Sequence, residues 1–179
     1  NAANEEVHFI MTGGTIDSVY NGDFDTVEPR EKSVIPQYIA RVKLARPVRF
    51  TQVCMKDSRR LTRLDRSEIA GVITRSSSQK FIVTHGTYTL PETAQFLQSH
   101  LGVTEKVVIL TNSTIPLEGV TMSNGGFNLG FAYAQLAVLN PGVHVCTNGQ
   151  IFSPDELAKL LNEGRFTTIF SGLPQTPPA

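Results

Sequence analysis

The sequence has no excess charge of either sign: sixteen lysines and arginines balance sixteen aspartates and glutamates. A nucleic-acid binder needs a basic footprint, so that class is excluded, and the clusters Arg59-Arg60-Arg63 and Arg41-Lys43-Arg46 are read as solvated faces. Cysteine is scarce too. Cys54 and Cys146 each sit in an apolar, strand-like run where a free thiol behaves as a small hydrophobe. Two such residues imply no disulfide framework, and a reducing cytoplasm is the expected setting. No apolar stretch approaches the span of a bilayer, and the first residues lack a charged segment followed by an apolar core, so no membrane association is expected. Phosphate-cradling loops are missing as well. Gly13-Gly14 belongs to neither a G-x-G-x-x-G fingerprint nor a P-loop, which leaves a flavodoxin-like nucleotide binder without support.

What is present suits one globular domain. A chain of 179 residues, 40% apolar and 18% charged, can bury roughly 70% of its unfolded surface. Short apolar runs alternate with segments of helical period, the pattern of a parallel sheet with crossover helices. The expected strands are Val7 to Met11, Val48 to Met55, Phe81 to Thr84, Val107 to Leu110, Val143 to Cys146 and Thr167 to Phe170. Helices are marked by their caps: Thr62 with Asp65, Thr89 with Pro91 and Glu92, and Ser153 with Pro154 and Glu156 opening a segment to Leu161. Ser33 and Pro36 start another through Val42, and Asn128 to Leu139 reads as a buried helix. Asp17 to Arg30 lacks apolar periodicity and is expected to be a mobile lid loop. The domain is expected over 4–170, with 171–179 a flexible proline-rich tail and 1–3 an expression scar, a disordered start or the remnant of a removed export signal.

Two junctions carry the chemistry. Thr12-Gly13-Gly14-Thr15 follows the first apolar run and His85-Gly86-Thr87 follows the third, so each sets a threonine at the carboxyl end of a strand, where α/β sheets bind ligands. Glycine lets the backbone turn sharply there and lets a ligand approach closely. A threonine hydroxyl is a poor nucleophile until a neighbour takes its proton, so a base is required. His85 fits a role in holding its loop better than direct catalysis. Lys106 opens the fourth strand; lysine serves as a base when burial depresses its pKa, although spacing alone favours a surface lysine leading a strand.

Taken together, Thr12-Gly13-Gly14-Thr15-Ile16, Lys56-Asp57-Ser58, Thr84-His85-Gly86-Thr87 with Glu92-Thr93-Ala94, Lys106 to Thr111, Ser123-Asn124-Gly125 with Phe127-Asn128-Leu129, and Asn148-Gly149 resemble the bacterial-type L-asparaginases. The likeness runs in order from Val7 to Phe166, and several motifs in register are far more specific than one. It is nearest to the short, one-domain asparaginase-like proteins. The resemblance implies a doubly wound, mostly parallel sheet flanked by helices, with flavodoxin-like layering, and hydrolysis of a small carboxamide to the acid and ammonia without metal or cofactor. It implies Thr15 as nucleophile forming an acyl-enzyme, Thr87 as second threonine activated by Lys106, Ser58 as the group that binds the substrate α-carboxylate, and Tyr20 as lid tyrosine. It also implies a homo-oligomer, dimer or tetramer. Backbone N–H groups around Gly14 and Gly86 are placed to stabilise an oxyanion.

The departures shift the expected substrate. Tyr88 stands where the family has an aspartate facing the substrate ammonium, and a neutral phenol cannot supply that anion. Arg59 beside Ser58 adds positive charge: facing the cleft it would favour an anionic carboxamide lacking a free amine, and facing solvent it would be neutral. Asn124 replaces a common acid. The competing function is a small-ligand binder that kept the fold after losing its chemistry.

Overall fold

The computed structural model describes residues 6–157. Six strands form one sheet: β1 (Val7–Gly13), β4 (Val48–Lys56), β5 (Lys80–Thr84), β6 (Val107–Thr111), β7 (Gly142–Thr147) and β8 (Gln150–Phe152), in the order β4-β1-β5-β6-β7-β8. The first five are parallel and β8 returns antiparallel to β7. Every residue of β1 and β6 is buried, which is why these strands read as continuous apolar runs. Side chains alternate between two cores. Ile10, Phe81, Val83, Val108 and Leu110 pack under α2 (Arg63–Arg75) and α3 (Leu90–Leu101), while Phe9, Met11, Ile82 and Ile109 pack under α1 (Ile35–Val42) and α4 (Gly125–Gln135). The sheet is therefore covered on both faces, the expected α/β layering.

The strand order fixes where a ligand can sit. From β1 the chain moves outward to β4, then crosses back over β1 to β5 and continues the other way to β6, so connections diverge between β1 and β5. That divergence opens a crevice at the carboxyl ends of those two strands. Thr15 and Thr87 follow them directly.

Local chemistry bears out some helix starts and corrects others. Thr62 and Asp65 make a full capping box, each backbone N–H donating to the other's side chain. Thr89 does not cap α3 through its side chain: its hydroxyl donates to the Ser58 carbonyl and its N–H to the Ser58 hydroxyl, both tying the β4 loop to the β5 loop. The Asp17–Arg30 segment is a hairpin, not an irregular loop: β2 (Ser18–Asn21) pairs antiparallel with β3 (Thr26–Pro29). It escaped the sequence pattern because both strands are largely exposed and no apolar face alternates. α4 starts at Gly125, three residues earlier than expected, and short β8 was not anticipated. Glu156 N–H donates to Ser153 Oγ as a cap would, whereas the remainder of that segment, the expected 167–170 strand and the 171–179 tail lie outside the described residues. Cys54 and Cys146 are free thiols. No helix among the described residues is long and apolar enough to cross a membrane.

Candidate active site

Three backbone segments meet at the crevice with no room for side chains. Gly13 lies against the backbone of Lys56, and the Gly14 N–H donates to the Lys56 carbonyl at 2.9 Å. Gly14 adopts φ 78° and ψ −177°, which turns the chain after β1 and brings it onto the Gly86 backbone. Gly86 in turn lies on Ser58. The Gly14 carbonyl accepts from Ser18 Oγ at 2.8 Å and from the Asp17 N–H. Asp17, fully buried, accepts from Ser33 Oγ at 2.6 Å and the Val34 N–H at 2.8 Å, anchoring this turn to the start of α1; burial still raises its pKa.

The resulting cleft is lined by Gly14, Thr15, Ser58, Gly86, Thr87 and Tyr88, and by Ser18, Val27, Pro29 and Asp57. Both threonines thus line one cleft. Ser58 is almost wholly buried, with its hydroxyl already receiving the Thr89 N–H. Sequence reasoning missed Asp57 and the hairpin residues. Asp57 was within reach, since it stands in the same Lys56-Asp57-Ser58 motif, but the contribution of Ser18, Val27 and Pro29 depends on the hairpin folding over the cleft.

Arg59 lies one step outside. Its Nε and Nη2 donate to the two oxygens of Asp57 at 3.0 and 2.7 Å, its own N–H adds a third bond at 2.9 Å, and its guanidinium sits 4.4 Å from the Tyr88 ring centroid. Those bonds hold the Asp57 carboxyl below its ordinary range. Arg59 therefore neutralises Asp57 and braces Tyr88 instead of facing the cleft with free charge.

Lys106 is not in the cleft, and its expected role next to Thr87 is corrected by the structure. It precedes β6, level with the amino end of β5, whereas Thr87 follows the carboxyl end; five residues of strand separate the two edges by roughly 16 Å. Its ammonium donates to the carbonyls of Ile73, Ser76 and Ser78 at 2.8, 2.6 and 3.2 Å and lies over the Phe81 ring, closing the carboxyl end of α2. Tyr20 is also apart. Its phenol donates to Asp25 at 2.6 Å on the outer hairpin, and it is not among the cleft-lining residues. Asn124 pins a loop instead of lining the cleft, accepting from Ser113 Oγ at 2.8 Å.

Behind the second junction lies His85, fully buried, its ring bonded to the Gly86 carbonyl at 2.7 Å and to Thr93 Oγ1 at 2.8 Å. Burial pushes its pKa down to about 4, so it holds the loop as a neutral imidazole. Among the described residues no group of three His, Cys, Asp or Glu side chains converges to hold a metal ion.

Comparison with known proteins agrees with this architecture. Solved structures share the fold, two of them bacterial L-asparaginases. One is a probable cytoplasmic L-asparaginase from Campylobacter jejuni (TM-score 0.66) and the other L-asparaginase I from Vibrio cholerae O1 biovar eltor str. N16961 (TM-score 0.67). Each is 24% identical, and each alignment covers 85% of this chain and 47% of the other, so the chain spans about half the length of these proteins. No curated protein matches the sequence. The family model "Asparaginase, N-terminal" matches residues 6–172, and the chain accordingly belongs to the asparaginase family through that domain.

Proposed function

We propose that the chain is an asparaginase-like amidohydrolase that takes a small carboxamide without a free α-amine. The observation that carries this reading is the lining of one switch-point cleft by Thr15, Ser58 and Thr87. Thr15 Oγ1 attacks the carboxamide carbon and backbone N–H groups of the two glycine junctions hold the developing oxyanion. The leaving nitrogen takes up the proton given up by Thr15 and departs as ammonia, and water then cleaves the threonyl ester to give the acid and restore the hydroxyl. Thr87 orients the reacting group, and Ser58 fixes the substrate carboxylate. In this reading the chain works as a homo-oligomer, and metal and cofactor take no part.

The substrate preference follows from charge. A substrate ammonium needs an unspent anion, but Tyr88 is neutral and both oxygens of Asp57 are engaged by Arg59. Succinamate, which lacks the amine, is therefore the expected substrate over asparagine. Ammonia release from succinamate, asparagine and glutamine tests this: succinamate should be preferred, and release from none of them overturns the hydrolase reading. Tyr88→Asp should raise kcat/KM for asparagine about 10- to 100-fold, the worth of one charged contact. An unchanged ratio of asparagine to succinamate hydrolysis would contradict the role given to Tyr88.

One observation favours the alternative of a ligand-binding protein without turnover. Lys106 is far from Thr87, and Asp57, the cleft's carboxylate, is made a weak base by Arg59. Such a protein would be stabilised against heat by succinate or succinamate, and succinamate would remain unconsumed.

A further inference from the structure

His85 lies behind the proposed oxyanion site, and its hydrogen bonds have a direction that donor and acceptor chemistry alone decides. Arg66 on α2 can only donate, and its Nε reaches Thr93 Oγ1 at 2.9 Å. The single hydroxyl proton of Thr93 is then free to go to His85 Nε2, 2.8 Å away. That leaves the proton of the neutral ring on Nδ1, which donates at 2.7 Å to the Gly86 carbonyl, a group that can only accept. The acceptor-only carbonyl fixes the ring proton on Nδ1, and Nε2 of the neutral ring must then accept from Thr93.

The last bond acts on a peptide plane. In a trans peptide the carbonyl and the following N–H point in opposite directions. There are no cis bonds among the described residues. His85 is fully buried, while Gly86 and Thr87 line the cleft, so drawing the Gly86 carbonyl inward turns the Thr87 N–H outward. We infer that Arg66, Thr93 and His85 form a positioning relay that locks the Gly86–Thr87 peptide with the Thr87 N–H aimed into the cleft as an anion donor. These three are positioning residues; none touches the substrate. The chain of bonds also explains why a histidine at this strand end is kept out of acid–base work. Its ring is enclosed, bonded at both nitrogens, and faced by the Arg66 charge, which opposes protonation.

The catalytic consequence rests on the hydrolase reading, and the geometric claim does not. Long-range 1H–15N spectra at pH 7 should show His85 protonated at Nδ1 and bare at Nε2. Thr93→Val should release the ring to a mixture of tautomers, and Thr93→Ser should restore the first. On titration with succinate the Thr87 amide resonance should shift in the parent protein and in Thr93→Ser, and stay fixed in Thr93→Val. With succinamate, Thr93→Val should lower kcat about 10- to 100-fold with KM within about twofold, as expected for a misaimed oxyanion donor. A wild-type ring protonated at Nε2, or a Thr87 amide that ignores succinate while the Thr15 amide responds, would overturn the relay. If no carboxamide is hydrolysed but the tautomer is the stated one, the relay stands and the hydrolase reading falls. If succinate does not bind, the tautomer alone decides.

Discussion

Gly14→Ala should unfold or severely loosen this domain, lowering stability by about 3–5 kcal/mol. Two costs combine. The backbone at φ 78° and ψ −177° lies in a region open essentially to glycine, worth about 1–3 kcal/mol for any other residue. The new Cβ would also stand 2.4 Å from Gly86 N and 2.5 Å from Gly86 Cα, and backbone cannot swing away as a flexible side chain can. For a chain of this size the loss corresponds to roughly 10 °C in Tm. Gly86→Ala should cost less, because its Cβ meets Ser58 Cβ and Oγ at 2.7 and 2.8 Å without a positive φ. Gly102→Ala isolates the backbone component: φ is 55° and ψ −135° with nothing within 4 Å, so only the backbone cost of about 1–3 kcal/mol is expected. Thermal melts of the three variants check the ranking. Equal effects at Gly14 and Gly102 would show that the glycine junctions are not in close contact.

Acidification from pH 7 to pH 4 should remove a large share of the stability, well before the carboxylates dominate. His8 and His85 are both buried, and burial brings each from 6.5 down to about 4. Such a group binds fewer protons folded than unfolded between those two values, so stability rises with pH across that window and falls as pH drops through it. A shift of this size is worth on the order of 3 kcal/mol per group when fully expressed. Asp17 works in the opposite sense, because burial raises its pKa and its protonation favours the folded chain at the acid end. Urea unfolding at pH 7, 5.5 and 4.5 should show the decline. His8→Gln and His85→Gln should each flatten it, even where they lower stability at pH 7, since neither then titrates. A slope unchanged by either substitution would contradict the assignment.

The centre of the sheet was legible because β1 and β6 are buried on both faces, so Val7 to Met11 and Val107 to Leu110 stand out as unbroken apolar runs. Thr62 and Asp65 announced α2 because a capping box is a local device. The hairpin was not legible: β2 and β3 are held by backbone pairing and expose side chains on both faces, which leaves no periodic trace. Thr15, Ser58, Thr87 and Tyr88 could be named from the glycine junctions and motifs, and the structure brings them to one cleft. Lys106 could have been set aside from sequence, since a residue that precedes a parallel strand lies at the edge opposite to the one that follows it. The direction of Arg59 could not, because Asp57 and Tyr88 compete for its guanidinium only once the β4 and β5 loops are adjacent. The same holds for Arg66 and Thr93, which belong to different helices and meet only through tertiary packing.

The central claim is that the hydroxyls of Thr15 and Thr87 serve one reaction in one cleft. Its most direct test is ammonia release from succinamate by the parent protein, Thr15→Val and Thr87→Val, each first shown to be folded by its thermal melt. Loss of at least about a thousandfold in kcat for Thr15→Val and a comparable loss for Thr87→Val is expected of groups that act as a unit. Release that persists at the parent rate in either variant would contradict the account.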